Sequence, residues 1–198
     1  MVILQMALLV LMTPSLASGL ISGERESGGW QLMQMTPMSP WTIVMGKLMS
    51  VAWTVILILL ATLPGYGLMI VIDESQAIRV FNVLITLALT AVFVVLVSAW
   101  VSSLFKRTAV ATATAYALVV GLCAGTMLFW MGQDAPFNRS TVEFVLLFNP
   151  LAAGLQLIEA PGFADYRLVP GNWWIIGSAS LACLLGLLYR TWRLARPS

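Results

Sequence analysis

Charge is what this chain has least of. Only 9% of its 198 residues are Asp, Glu, Lys or Arg, where a soluble globular domain carries roughly 25%. Histidine is absent, which removes HExxH zinc sites and every Ser-His or Cys-His nucleophilic pair. The two cysteines, Cys123 and Cys183, lie inside apolar runs. A thiol there acts as a small hydrophobe, and two of them supply no disulfide framework and point to no redox compartment. Gly46-Lys47 ends like a phosphate loop, but that motif needs glycine five residues before Gly46, where Trp41 stands. No catalytic, cofactor-binding or metal-ligating set emerges, and a net charge of +2 is too small to attract nucleic acid.

Hydrophobic residues, by contrast, make up 60% of the chain. About 20 apolar residues cross a bilayer core of roughly 30 Å. Five uncharged stretches meet that length: Met1 to Ile21, Leu48 to Ile72, Val80 to Phe105, Thr108 to Met131 and Asn172 to Tyr189. Lipid offers the backbone no hydrogen-bond partner, so these stretches are helices, and the alternation of a barrel is missing. The expected fold is all-α, a polytopic transmembrane helical bundle of about five spans forming one domain over residues 1–198.

Basic residues set the orientation. Arg25 and Lys47 flank the first loop, Lys106 and Arg107 form the third, and Arg190, Arg193 and Arg196 mark the tail. In the other two loops Arg79, Arg139 and Arg167 are outnumbered by Asp73, Glu74, Asp134, Glu143, Glu159 and Asp165. First loop, third loop and tail are therefore expected on the cytoplasmic side. An uncharged start and an odd number of spans lead us to expect one upstream helix missing from this chain. The alternative is a signal peptide cleaved near Leu16-Ala17-Ser18-Gly19, although the basic segment that opens such peptides is lacking.

The first loop, residues 22–47, is the polar exception. Acids near its start suit the amino end of a short interfacial helix over Glu24 to Gln34, and Thr36-Pro37 stops that helix. Ser39 then reads as an N-cap with Pro40 at the first helical position. Charge spacing alone fits a solvated face as well as a docking face, and Lys47 reads as a snorkelling lysine at a helix end.

The outer loop, Gly132 to Gly171, is too long for a plain turn. Ser140 and Glu143 have the spacing of a capping box ahead of an apolar run, and Asn149-Pro150 caps a second short helix. Helices of about 10 residues are only about 15 Å long, so residues 140–159 are expected to form an outer re-entrant pair. In the fourth span, Gly121 and Gly125 continue the ladder Ala109, Ala113, Ala117. Such a face permits close helix contact, with internal packing the first expectation and subunit pairing the second. Pro64-Gly65 is expected to kink the second span. No ionisable residue falls in the middle of a span, which counts against an ion-driven carrier.

The series Glu24-Arg25-Glu26-x-Gly28, Leu32-Met33, Thr36-Pro37-Met38-Ser39 and Gly46-Lys47 resembles the cytoplasmic signature of type-2 ABC transporter permeases, the export-class family. The family often has Thr where this chain has Gly29. The resemblance implies a coupling helix that docks a cytoplasmic ABC ATPase subunit, with Glu24, Arg25, Glu26 and Gly28 at or near the docking surface. It implies a dimer with a second permease copy or homologue, and short outer helices before the last span. It places ATP and Mg on the partner ATPase, none bound by this chain. The function expected is the non-catalytic permease subunit of an ATP-driven exporter in a cell membrane, of prokaryotic inner-membrane type. An ion-coupled secondary transporter and a non-transporting membrane scaffold are the alternatives.

Overall fold

The computed structural model describes residues 1–29, 40–132 and 137–195. Helix α1 (Val2–Ala17) continues through a turn into the short α2 (Ser22–Glu26), so that a 25-residue rod, Val2–Glu26, forms the first membrane-length element. The chain returns through α3 (Pro40–Ile72), turns at the 3-10 helix Glu74–Gln76, and descends as α4 (Ala77–Leu104). A tight turn leads to α5 (Thr108–Met131), followed by the short α6 (Arg139–Leu146) and α7 (Pro150–Leu157), and α8 (Gly171–Ala195) closes the fold. Five of these rods are long and apolar enough to cross a membrane. No strand occurs among the described residues.

Helix α4 is the centre. Leu87, Val94, Ala99 and Val101 on it are fully buried, and α1, α3, α5 and α8 all pack around it. Small polar residues let the rods approach closely: Thr86 and Thr90 bond carbonyls one turn back in their own helix. Between α1 and α3 the buried Gln5 donates to Thr62 Oγ1 at 2.6 Å and accepts from the Tyr66 hydroxyl at 2.8 Å. A polar side chain is tolerable at such depth because its partners are supplied by the neighbouring rod.

Helix α3 differs most from expectation. It is 33 residues long, about 50 Å at 1.5 Å per residue, and starts at Pro40 rather than near Leu48. Pro40 does open the helix, while Ser39 lies outside the described residues. The helix continues through Pro64. Its outward face carries Met49, Trp53, Leu57 and Leu60, all exposed, as suits lipid contact.

The turn between α3 and α4 is held by Asp73. Its carboxylate accepts from the Ser75 amide at 3.0 Å, the Ser75 hydroxyl at 2.6 Å and the Gln76 amide at 3.2 Å. The Ser75 hydroxyl first, then the Gln76 side chain, hold this carboxyl below the usual range.

Candidate functional site

The residues of the first loop converge at the basic end of the bundle. Helix α2 is closed by Ser27, after which Gly28 turns with a φ of 77°, a left-handed conformation that glycine adopts without penalty. The helix thus stops at Glu26 instead of running from Glu24 to Gln34. The remainder of the expected elbow, Trp30 to Ser39, lies outside the described residues.

Each of the three charges of Glu24-Arg25-Glu26 is engaged with a different span. Glu24 pairs with Lys47 of α3, so Lys47 is an ion-pair partner rather than merely a snorkelling end. Arg25 donates to the carbonyls of Ser103 and Phe105, at 3.2 and 3.3 Å, where α4 terminates. The last carbonyls of a helix have no partner within it and sit at the negative pole of its dipole. Glu26 accepts from the Thr108 amide at 2.8 Å, where α5 begins. That amide is one of the unsatisfied donors at a positive pole. A cation on a carboxyl terminus and an anion on an amino terminus match both ends of the tight α4–α5 turn.

Behind this clamp, Ser102 Oγ accepts from the Ile21 and Ser22 amides at 2.9 and 3.0 Å. Ser18 and Thr112 share a hydroxyl contact of 2.8 Å. The tip beyond them, Glu26 to Gly28, is exposed. A solvated charge run would leave these side chains free, whereas here Arg25 and Glu26 bond elements about 80 residues away in sequence.

At the opposite end, α6 and α7 meet at a bend of 107°, as a re-entrant or broken pair would. The capping box is not formed. Asn138 stands at the N-cap of α6 without a side-chain bond, and Ser140 lies inside the helix. Glu143 instead accepts from the Arg167 amide at 3.0 Å. The spacing that suits a box suits equally a carboxylate facing a returning loop. Asn149 and Pro150 behave as expected: Asn149 Oδ1 accepts from the Leu151 amide at 2.8 Å, and Pro150 opens α7.

Asn149 also does what its motif did not reveal. Fully buried, its amide donates to the Cys123 carbonyl at 3.0 Å and to Thr126 Oγ1 at 2.7 Å. Asn172 ties the same corner to α8 by donating to the Leu147 carbonyl at 2.8 Å. The following loop forms a small core of its own, in which Phe163, Tyr166 and Leu168 are buried. Trp130 stacks on Phe163 with ring centroids 4.7 Å apart, over Gly162, where a Cβ would lie 2.7 Å from the indole. The helical pair and its loop make a continuous cap anchored to α5 and α8.

Gly121 and Gly125 do not mediate internal packing. A Cβ added at either would meet nothing within 4 Å, and Ala109, Ala113 and Ala117 are exposed. The contacting face of α5 is a parallel row two positions on: Ala111, Ala115, Val119 and Cys123. Both rows are small, and periodicity does not tell them apart. Thr112 donates to the Thr108 carbonyl of its own helix, and Tyr116 donates to the Leu11 carbonyl of α1 at 2.6 Å.

The two ends carry opposite charge. Among the described residues, Arg25, Lys47, Lys106, Arg107, Arg190 and Arg193 outnumber Glu24 and Glu26 at the clamp end, while Asp73, Glu74, Glu143, Glu159 and Asp165 outnumber Arg79, Arg139 and Arg167 at the capped end. No group of three or more His, Cys, Asp or Glu side chains able to hold a metal ion occurs among the described residues. Comparison with curated proteins found no match. Residues 1–190 match the family described as ABC-2 family transporter protein. With the match spanning nearly the whole chain and the fold a five-rod helical bundle, this protein belongs to the ABC-2 transporter family and is a multi-pass membrane component of an ABC transport system.

Proposed function

We propose that the chain is the permease subunit of an ATP-driven exporter, and that the tip of α2 receives force from a separate cytoplasmic ATPase subunit. The observation that carries this reading is the clamp. One short element is joined to α1 by the chain, to α3 through Glu24–Lys47, to the end of α4 through Arg25 and to the start of α5 through Glu26. A push on its exposed tip is shared among four spans as a rigid-body motion, whereas a free loop would absorb it.

In this reading the basic end is cytoplasmic, and the cap of α6, α7 and their loop closes the outer face. The outward small-residue face of α5 is where a second permease copy or homologue packs. ATP and Mg bind the ATPase, and this chain contributes no catalytic group. The membrane is a prokaryotic inner membrane. An exporter is favoured over an ion-coupled carrier because the middle of each span lacks an ionisable residue.

The test is proximity under turnover. A single cysteine at Ser27, in a background lacking Cys123 and Cys183, is expected to crosslink to the ATPase subunit in reconstituted membranes, with a yield that changes on nucleotide binding. A crosslink to an external reagent only, with none to the ATPase in any nucleotide state, would place the tip on the wrong side and overturn the reading.

A further inference from the structure

The α6–α7 cap and its loop are stitched into one body. Arg139 donates to the Asp165 carbonyl at 2.9 Å, Glu143 accepts from the Arg167 amide, and Gln156 Oε1 accepts from the Leu168 and Val169 amides at 3.0 and 3.2 Å. This body is anchored to two rods by polar contacts. Asn149 ties it to α5, as does the Trp130 indole, which donates to the Gly162 carbonyl at 3.2 Å. Asn172 ties it to α8.

The opposite edge is held differently. Toward α4 and α1, Leu157 and Ile158 rest on the apolar core of the bundle and Gly154 on Met6. Apolar contacts between rods are held loosely in lipid, whose tails replace them at little cost. Between the start of α4 and the end of α7 the seam is an open cavity of about 380 Å³, with Arg79, Asn82, Gln156, Glu159 and Ala164 in its lining. Across it Arg79 Nη2 meets Glu159 Oε1 at 2.7 Å, the one ion pair between the cap and α4 among the described residues.

Glu159 reaches that pair from a strained backbone. The Glu159 amide bonds the Gln156 carbonyl at 2.9 Å and the Ala160 amide bonds the Leu155 carbonyl at 3.0 Å, the two bonds of a Schellman closure. The residue at this point of the motif is left-handed, here with a φ of 52°, and glycine adopts that conformation without penalty. A glutamate there carries a backbone cost, and such outliers cluster at clamps and switch regions. What the glutamate adds over glycine is the contact with Arg79.

We infer that Arg79–Glu159 is the latch of the cap, which swings on its α5 and α8 anchors and opens along α4, over the cavity. A pair as exposed as this one, at 43% and 60%, shifts an equilibrium by only about two- to fivefold. It therefore releases while the buried anchors hold. That the opening lets cargo out rests on the exporter reading; the latch itself needs neither ATPase nor nucleotide.

Thiol labelling of the purified full chain in micelles, with a membrane-impermeant maleimide and no ATPase present, reads the two edges separately. Asn82→Cys, in a background lacking Cys123 and Cys183, reports the α4 edge. The native Cys123, buried beneath Asn149, reports the anchored edge once Cys183 is removed. Glu159→Gly is expected to speed labelling at Asn82→Cys roughly threefold, with no fall in the thermal midpoint because the strain is relieved, and to leave Cys123 unreactive. Arg79→Gln, which keeps the strained backbone, is expected to label as fast as Glu159→Gly. The swap Arg79→Glu with Glu159→Arg is expected to restore the slow rate. Unchanged labelling at Asn82→Cys in both single variants overturns the latch, as does a swap that stays fast. An equal rise at Cys123 also overturns it, because the cap would then be leaving from both edges.

Discussion

Replacing Asn149 with alanine tests how the α6–α7 cap is held. The side chain caps α7, a contribution of about 1 kcal/mol, and bridges to α5 through the Cys123 carbonyl and Thr126 hydroxyl. Interhelical polar bonds within membranes average about 0.6 kcal/mol by double-mutant cycles. Thr126 keeps its own bond to the Leu122 carbonyl, so no hydroxyl donor is stranded by the change. Asn149→Ala is therefore expected to lower stability by about 2 kcal/mol. Asn149→Ser retains an N-cap oxygen and is expected to lose only the bridge, about half as much. The assay is reversible unfolding in mixed micelles followed by tryptophan fluorescence, with a cycle against Thr126→Val. Equal losses for Ala and Ser, or zero coupling in the cycle, would refute the account of Asn149 as both cap and bridge.

Three further outcomes are expected. Arg25→Gln with Glu26→Gln should speed hydrogen exchange at the Thr108 amide and its turn while leaving the α4 core protected; unchanged exchange would mean the clamp carries no load. Gly121→Leu with Gly125→Leu should leave the protomer folded, because neither position has a neighbour within 4 Å, yet weaken self-association measured by energy transfer in vesicles. Unaltered association would move the subunit contact elsewhere. Gly154→Val should destabilise by about 1–3 kcal/mol through overpacking, since a Cβ there already meets the sulfur and terminal methyl of the buried Met6 of α1 and a branched side chain needs more room than a shift of that flexible end provides; thermal unfolding with no loss would contradict the close approach of α7 to α1.

The rods were legible because lipid simplifies the problem. A run of apolar residues long enough to cross must be a helix, and each of the five expected spans has its counterpart. Asn149-Pro150 was legible as well, since a side-chain cap followed by proline is a local signal. Lys47 and Glu24 are 23 positions apart, and no periodicity announces their pairing. The same holds for Glu26, whose partner is a backbone amide 82 positions on. Ser140 and Glu143 had the right spacing for a box, yet Glu143 turned to the Arg167 amide, because tertiary partners compete with local ones. The face of α5 was unreadable for a simpler reason, namely that two parallel rows of small residues satisfy the same rule.

The central claim is that the tip of α2 transmits force from an ATPase. Reversing Glu24 alone would confound docking with folding, because Glu24 holds Lys47. The swap Glu24→Lys with Lys47→Glu preserves the pair while inverting its outward charge. Permease-stimulated ATP hydrolysis in reconstituted membranes is the measurement, compared with thermal stability of the same preparation. The account predicts a protein of near-normal stability whose stimulation falls severalfold. Full stimulation with the pair inverted would contradict it.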